Sequence, residues 1–323
     1  MVSAVYAAAM RRRRKRYASR PDLRRRLRRP VISIGNLAVG GRGKTPLTAS
    51  IARLLHEAGE SPAILTRGYG RERTEKNVVV VRDAEGIRAD LGRSGDEPLM
   101  LARQLPGTAV LVCADRYEAG MFAEEHLGST IHLLDDGFQH LRLHRDVDLL
   151  IVSRADLERP VTLPSGRLRE SLDAMAAADA VLTMDDEVEG RAKALTLRVF
   201  RVRREGRAEA GTGEPVLALA GIAGPGRFFD DLAAGGWNVA ARMVFADHHR
   251  YTARDLSRMA DAARRSGAVR LVTTEKDYVR LLPFRPFPIP VAFIPIRLEP
   301  DPRDEFRRWL CGELARVRGG ARG

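Results

Sequence analysis

The 323-residue sequence is poor in cysteine, in aromatic residues and in long apolar runs. Its two cysteines, Cys113 and Cys311, lie far apart and lack metal-ligand spacing, which excludes a disulfide framework and predicts a reducing compartment. No uninterrupted apolar run reaches the ~20 residues that cross a bilayer as a helix. The Asn-Lys-x-Asp pattern of guanine recognition is also missing. The absence of these features argues against a disulfide-rich, a membrane-spanning or a GTP-binding protein.

Acidic residues are scarce in the first thirty residues, a segment that we call the basic arm. The arm contains twelve Lys or Arg and one acid, Asp22, whereas the rest of the chain carries 43 basic and 41 acidic residues. Its apolar residues come first and have helical spacing (Val2, Val5, Tyr6 and Ala9). Three interpretations fit: an interfacial helix on anionic lipid, where each Arg contributes ~1 kcal/mol, a nucleic-acid arm, which lacks the expected interleaved aromatics, or a solvated run of charge.

The most informative stretch covers residues 31–55 and reads VISIGNLAVGGRGKTPLTASIARLL. A β-branched strand, a glycine-rich turn, Lys44-Thr45 and a helix follow one another, which is the order of a phosphate-binding P-loop. Lys44 is expected to reach the β- and γ-phosphates, and the Thr45 hydroxyl to ligate Mg²⁺. The glycines let successive backbone N–H groups face one phosphate at a helix N-terminus; they are Gly40, Gly41 and Gly43.

Strands and helices alternate along the rest of the chain. Apolar strands are predicted at 62–65, 78–81, 109–113, 130–134, 148–152 and 180–183, with helices at 99–105 and 115–127. This alternation predicts an α/β fold, a P-loop NTPase-type doubly wound and mostly parallel sheet. Further strands at 216–220, 239–245, 269–273 and 291–296 predict a second, smaller α/β domain. The predicted division is the basic arm (1–30), a P-loop domain (31–205), a second α/β domain (206–300) and a C-terminal helix (301–323).

Carboxylates and imidazoles follow several predicted strands, at the edge where α/β proteins form their sites. Asp135 ends an apolar strand, as the Mg²⁺-binding Asp of a Walker B element does. Asp96 and Glu97 stand at the start of a helix, where they serve either as a cap that complements the helix dipole or as catalytic acids. The sequence 247–249, Asp-His-His, follows a strand of the second unit. Because no third ligand is near it, a base or its proton partner fits better than a zinc site.

Seven short motifs occur in an order and spacing that resemble one family. They are GNLAVGGRGKTP, TRGYG, GDEP, DDGFQH, LRE, DHH and TEKD, and they span about residues 30–300. Together they look like the tetraacyldisaccharide 4'-kinases, the lipid A 4'-kinase family. The resemblance implies transfer of the γ-phosphate of ATP, with Mg²⁺, to the 4'-hydroxyl of a tetraacyl diglucosamine 1-phosphate. It also implies a two-stranded linker between two α/β domains, which residues 195–202 and 291–296 are expected to supply.

The same resemblance implies roles for individual residues. It makes Asp96 the base for the sugar hydroxyl, with His248, favoured over His249, as its partner, and Lys44 a catalytic cation. Phosphate and nucleotide contacts fall on Gly40, Gly41, Gly43, Lys44, Thr45, Gln139, Thr273 and Lys276. Metal contacts fall on Thr45, Glu97 and Asp135, and substrate contacts on Asp136, Arg169 and Glu170.

The implied partners are the acylated disaccharide lipid and an anionic membrane surface that residues 1–30 contact, at the cytoplasmic face of the inner membrane. We expect a monomer and no nucleic-acid partner. Two alternatives stay open. A P-loop kinase or ligase of a soluble metabolite predicts full activity without lipid or detergent. A nucleotide-switch NTPase that binds a partner through the basic arm predicts slow hydrolysis without a sugar acceptor and binding that falls steeply with salt.

Overall fold

The structure, a computed structural model, describes residues 2–41, 43–73, 75–205, 211 and 213–320. Arg42, in the glycine-rich turn, lies outside the described residues. The strands are β1 (Val31–Asn36), β2 (Pro62–Thr66), β3 (Val79–Asp83), β4 (Gly86–Ile87), β5 (Ala109–Val112), β6 (Ile131–Asp135), β7 (Val147–Ile151), β8 (Ala180–Thr183), β9 (Arg198–Glu205), β10 (Val216–Ala220), β11 (Val239–Val244), β12 (Arg270–Thr274), β13 (Val291–Ile294) and β14 (Arg297–Asp301). The helices are α1 (Val2–Ser19), α2 (Lys44–Glu57), α3 (Leu91–Ser94), α4 (Asp96–Gln104), α5 (Arg116–His126), α6 (Arg154–Glu158), α7 (Asp186–Ala194), α8 (Gly226–Ala234), α9 (Ala253–Ser266), α10 (Glu275–Leu281) and α11 (Arg303–Gly320).

In the described part of the chain, ten strands form a large sheet in the order β14-β9-β8-β7-β1-β6-β2-β5-β3-β4. From β9 to β5 the neighbours pair in parallel, whereas β3 and β14 join the two edges antiparallel. The central strands β1, β6 and β7 are buried along their whole length. Strands covered on both faces need continuous apolar runs, so these runs predicted the sheet correctly. The α/β, P-loop NTPase-type fold is thus confirmed.

Helices cover both faces of the large sheet because its side chains alternate between them. On one face, α2, α4 and α11 pack on a core that includes Ile32, Ile34 and Leu182. On the other face, α5 packs on Val31 and Leu65, and α7 belongs to a neighbouring cluster around β7 and β8. The carboxyl ends of the parallel strands therefore open at one edge between two layers of helices, where α/β proteins bind ligands.

Four parallel strands form the second, small sheet in the order β11-β10-β12-β13. Helix α8 packs on one of its faces through Phe228, Phe229 and Leu232. Helix α9 packs on the other through Met259 and Ala263. This arrangement confirms a second, smaller α/β unit, as the strand spacing predicted.

The linker differs from the expectation in its second strand. The chain leaves the large sheet through β9, and it returns through β14, which pairs antiparallel with β9 from Arg297↔Glu205 to Asp301↔Arg201. The predicted linker strand at 291–296 is wrong, because β13 is an edge strand of the small sheet. The alanine-rich stretch after residue 170 forms a short 3₁₀ helix, Leu172–Ala177. Helix α11 packs back on the large sheet through Phe306 and Leu310.

Helix α1 lies along the protein with one face docked. A stripe of partly or fully buried residues with helical spacing faces the body of the protein (Ser3, Tyr6, Ala7, Met10, Arg13, Arg14 and Tyr17). The opposite face is exposed, with Val2 and Val5 at its start and basic residues after them. Among the described helices, none combines the length and the apolar character that crossing a membrane requires.

Candidate active site

The phosphate loop connects the central strand β1 to α2. Gly43 caps the helix with a left-handed backbone, φ 82°, and an added Cβ would overlap Leu298, so glycine is required there. The Lys44 ammonium donates to the side-chain oxygen of Asn36 at 3.2 Å and to the Gly40 carbonyl at 3.4 Å. Lys44 is thereby held across the mouth of the loop, at the N-terminus of α2, where an anion is stabilised.

Asp135 ends β6 beside the loop, as the Walker B interpretation predicts. The Thr45 hydroxyl donates to Asp135 Oδ2 at 3.2 Å, and the Thr48 hydroxyl donates to Oδ1 at 3.1 Å. Burial, together with the carboxylates of Glu97 and Asp136, raises the pKa of Asp135 to about 7. The Lys44 charge and the Thr48 hydrogen bond lower this pKa, but they do not offset the burial.

The donors at this point suit Mg²⁺. Across the described residues, no group of three or more His, Cys, Asp or Glu side chains forms a metal cage. Mg²⁺ does not need one, because it is held by one or two carboxylates, a hydroxyl, water and substrate phosphates. The Thr45 hydroxyl and the Asp135 carboxylate provide such oxygens, and Glu97 is close enough to perturb Asp135.

An ion pair between Arg169 and Asp136 lies next to the Lys44 ammonium. Arg169 donates to both carboxylate oxygens of Asp136, at 2.7 and 2.8 Å, and also to the side chain of Asn36. Gln139 donates from Nε2 to the Asn36 carbonyl at 3.0 Å. Burial raises the pKa of Asp136, but the Arg169 hydrogen bonds and the Lys44 charge outweigh it and hold this pKa below its usual value. Asp136 is therefore ionised at neutral pH, whereas Asp135, with a pKa of about 7, is partly protonated there.

The two units of the protein meet at Asp96, in the first turn of α4. His248 Nδ1 lies 3.1 Å from Asp96 Oδ2, and Arg280 Nε lies 3.2 Å from the same oxygen. Lys276 contacts His248 Nε2 at 3.2 Å and Glu97 at 2.9 Å. All three cationic or imidazole side chains come from the small-sheet unit, whereas Asp96 comes from the large one.

These contacts set the ionisation of Asp96 and the orientation of His248. Burial would raise the pKa of Asp96, but the His248 hydrogen bond and the charges of Lys276 and Arg280 lower it below its usual value. Because the Lys276 ammonium donates to Nε2, His248 carries its proton on Nδ1 and donates it to Asp96. His248 has a left-handed backbone, φ 57°, and the ring of Tyr69 packs edge-on against its imidazole, with centroids 5.4 Å apart.

Three predicted residues lie elsewhere or face away from this cleft. Thr273 is fully buried, and its hydroxyl donates to the Leu219 carbonyl inside the small sheet. Glu170 is buried against Arg14 of α1. His249 contacts Asp255 at the start of α9, at 3.1 Å. The geometry therefore favours His248 over His249 as the partner of Asp96.

Sequence reasoning missed several residues of the site. Arg280, Thr48 and Asn36 contact predicted residues directly. Thr48 follows Lys44 by one helical turn, so its position on α2 was a usable signal. Arg280 and the docked Arg14 are arginines among many, and no spacing distinguishes them. The buried Arg116 also lies near Asp135 and Asp136, and burial lowers its pKa to about 10.

Comparisons with known proteins identify relatives that match most of the chain. The model of the tetraacyldisaccharide-1-P 4'-kinase family matches residues 1–315. The chain is 42% identical over 264 residues to the tetraacyldisaccharide 4'-kinase of Koribacter versatilis, covering 79% of this chain and 80% of that one. It is 38% identical over 299 residues to that of Geobacter metallireducens, covering 88% of each. Among solved structures, LpxK from Aquifex aeolicus in complex with ATP is similar with a TM-score of 0.79 and 28% identity, covering 97% of both chains.

Proposed function

The chain belongs to the tetraacyldisaccharide-1-P 4'-kinase family, and from this premise we propose which residues carry its reaction. It is a kinase that transfers phosphate from ATP to the 4'-hydroxyl of a tetraacyl diglucosamine 1-phosphate, a step of lipid A biosynthesis. Family membership decides against the soluble-metabolite enzyme and the nucleotide switch. One observation supports our assignment: the Thr45–Asp135 and Asp96–His248 pairs lie in the same cleft. Glu97, the residue after Asp96, is close enough to Asp135 to raise its pKa.

We assign the phosphates of ATP to the loop that precedes α2. Glycines 40, 41 and 43 let its backbone N–H groups approach the phosphates, and Lys44 supplies a positive charge that Asn36 orients. Phosphoryl transfer passes through a loose transition state, so positioning and charge neutralisation supply most of the rate. Thr45, Asp135 and Glu97 would hold Mg²⁺, which when bound neutralises charge on the phosphate oxygens. Lys276 is a further candidate nucleotide contact, whereas the burial of Thr273 speaks against that role.

Asp96 is the proposed acceptor of the proton of the 4'-hydroxyl. His248 holds one carboxylate oxygen through its Nδ1–H, and Lys276 keeps that tautomer in place. The lowered pKa makes Asp96 a weak base. A weak base suffices because the attacking oxygen bonds only slightly to phosphorus in a loose transition state. Asp136 and Arg169 line the same cleft and are proposed to contact the acceptor, and Gln139 is proposed to contact the nucleotide.

Transfer of labelled γ-phosphate from ATP to a detergent-solubilised tetraacyldisaccharide 1-phosphate tests these roles. Asp96→Asn is expected to lower kcat by about 10²-fold or more, since general-base assistance is worth ~10²–10⁴-fold, with ATP binding retained. Asp230→Asn, an exposed carboxylate on α8, is the matched control and should transfer like the wild type. Transfer by Asp96→Asn at the rate of the control would refute Asp96 as the base.

We further propose that the exposed face of α1 lies on an anionic membrane surface. Its first half presents Val2 and Val5, which are 65% and 67% exposed, and its second half presents exposed basic residues (Arg11, Arg12, Lys15 and Arg16). Apolar side chains and Lys or Arg beside anionic headgroups are the two components of interfacial binding. Sedimentation with vesicles should show binding to phosphatidylglycerol vesicles that weakens with salt and little binding to phosphatidylcholine vesicles. Equal binding to both would contradict the electrostatic part.

The remaining assignments are proposals of the same kind. Because ATP is the phosphate donor, we place the protein at the cytoplasmic face of the inner membrane. We propose that it acts as a monomer without nucleic acid, which light scattering of the detergent-solubilised protein tests. The basic arm (1–30), the P-loop domain (31–205), the second domain (206–300) and the C-terminal helix (301–323) are the proposed domains, with residues 297–300 contributing to the large sheet.

A further inference from the structure

The docked face of α1 contacts the loops that frame the phosphate site. Arg14 is the centre of this contact and is mostly buried, with 15% of its side chain exposed. Its guanidinium donates from Nε and Nη2 to the two carboxylate oxygens of Glu170, each at 2.7 Å. Nη2 also donates to the Phe138 carbonyl at 3.2 Å, and the guanidinium carbon lies 4.2 Å from the centroid of the Phe138 ring. The Arg14 side chain thus connects two loops through Phe138 and Glu170, which are 32 residues apart in sequence.

Each of these loops carries an active-site residue next to the one that Arg14 contacts. Phe138 lies between Asp136 and Gln139, and a Cβ added to Gly35 would come within 2.5 Å of its Cβ, so Phe138 packs directly against β1. Glu170 follows Arg169, whose backbone N–H donates to the Leu37 carbonyl at 2.6 Å. The Asp136–Arg169 pair joins the two loops on the side of the cleft, and Arg14 joins them on the outside.

Glu170 depends on Arg14 as its hydrogen-bond partner. Its side chain is 3% exposed, and among the described residues its hydrogen bonds come from Arg14. A buried carboxylate that loses its partner must be protonated, become solvated or find another cation. The next cation along the chain is Arg169, which holds Asp136 and Asn36. Loss of the Arg14 contact therefore disturbs the residues that orient Lys44.

We propose that Arg14 is a positioning residue of the kinase, and that α1 is part of the framework of the active site as well as the proposed membrane contact. Docking of α1 through Arg14 holds the loops 135–140 and 168–171 in register around the phosphate loop. The proposal rests on the proposed function for its consequence in catalysis. Its structural part, the clamping of the two loops, stands on the contacts themselves.

The test compares three variants in detergent micelles. Arg14→Ala removes the clamp, and Arg14→Lys keeps the charge but cannot donate a bidentate pair. Arg12→Ala removes the same charge, together with its proposed surface contact, from the exposed face of α1, so its effect measures the loss of one basic residue of this helix without loss of the Glu170 contact. Because small misplacements in an active site cost about 10²-fold, we expect kcat to fall about 10²-fold more in Arg14→Ala than in Arg12→Ala, with Arg14→Lys close to Arg14→Ala. The KM for ATP should change by less than about threefold in all of them.

Hydrogen–deuterium exchange supplies a readout that needs no acceptor. Amides of 135–140 and 168–171 should exchange faster in Arg14→Ala and Arg14→Lys than in Arg12→Ala, whereas those of β10 in the small sheet should not change. Equal kcat for Arg14→Ala and Arg12→Ala, or unchanged exchange of the two loops, would overturn the proposal. If the wild type fails to phosphorylate the acceptor, the proposed function fails, and the exchange measurement still decides whether Arg14 clamps the loops.

Discussion

Replacing Asp135 by Asn is expected to stabilise the nucleotide-free protein and to lower its activity strongly. The Asp135 side chain is buried, and its pKa is about 7 because burial and the neighbouring carboxylates disfavour its charge. The difference from the ordinary value of 3.8 corresponds to about 4 kcal/mol of unfolding free energy at pH values above both. The ionised Asp135 carboxylate beside the phosphate loop therefore lowers the free energy of unfolding by this order of magnitude.

The direction in which pH changes the stability follows from proton binding to Asp135. Between pH ~4 and ~7 the folded protein holds a proton on Asp135 that the unfolded chain has released, so stability falls as pH rises through this window and stays low above it. Asn carries no charge, and its amide can donate to the hydroxyls of Thr45 and Thr48, which accept as well as donate. The wild type and Asp135→Asn should therefore melt closest together at pH ~4, where both states of the wild type still bind the proton in part, and the variant should melt several degrees higher at pH 8.

Calorimetry at the two pH values, with and without Mg²⁺–ATP, checks this reasoning. Asp136→Asn is the matched control, since it makes the same change at the next residue, and Asn tolerates the left-handed backbone there, φ 58°. Arg169 stabilises the ionised form of Asp136, so this variant should melt lower than the wild type at pH 8. Mg²⁺–ATP should raise the melting temperature of Asp135→Asn less than that of the wild type, and transfer should fall by about 10²-fold or more. A lower melting temperature for Asp135→Asn at pH 8 would refute the argument.

Three further predictions follow from the site and its surroundings. Lys44→Ala should reduce transfer more than Asp96→Ala, and Asp96→Ala more than His248→Ala, because charge neutralisation outweighs base assistance in a loose transition state; steady-state rates with His248→Ala as the most damaged variant would contradict this order. Gly43→Ala should lower the melting temperature and weaken ATP binding, since a left-handed backbone costs ~1–2 kcal/mol for a residue with a Cβ; unchanged ATP titrations would contradict it. Burial, reinforced by the Arg116 charge, lowers the pKa of His140 to about 4. The stability that its neutral form contributes is therefore present above pH ~6.5 and lost as pH falls towards ~4. The melting temperature of His140→Gln should depend less on pH over that range.

The sequence predicted the large sheet well because its central strands are covered on both faces. Continuous apolar runs such as VISI and IHLL are typical of strands buried in this way, and Lys44-Thr45 soon after one of them defines the phosphate loop. Strand β14 reads RLEPD, and Pro, Glu and Asp are depleted from strands. Its pairing at the edge of the sheet, where Pro is tolerated, comes from the return of the chain from the small unit, which no local pattern encodes.

The candidate site was predictable only where residue types are rare or neighbours are informative. Asp96 and His248 lie 152 residues apart in sequence, and their pairing was expected from the family resemblance alone. Arg280 is one of 55 Lys or Arg residues, and only the packing of α10 against α4 gives it Asp96 as a neighbour. Arg14 stands within six consecutive basic residues, so the direction in which α1 docks decides which of them meets Glu170.

The division of the site between two units explains why the small sheet is needed at all. Asp96 sits in the first turn of α4, and the groups that hold it, His248, Lys276 and Arg280, belong to the small unit. The two units are joined next to it, where Gln104 of α4 donates to Glu275 of α10 at 2.6 Å. The phosphate loop needs none of these contacts, because Asn36 and Asp135 of the large sheet order it. With Asp96 as the proposed base, the support that the small unit gives to Asp96 belongs to the acceptor side of the reaction, and a loosened α4–α10 contact should lower kcat while ATP binding persists.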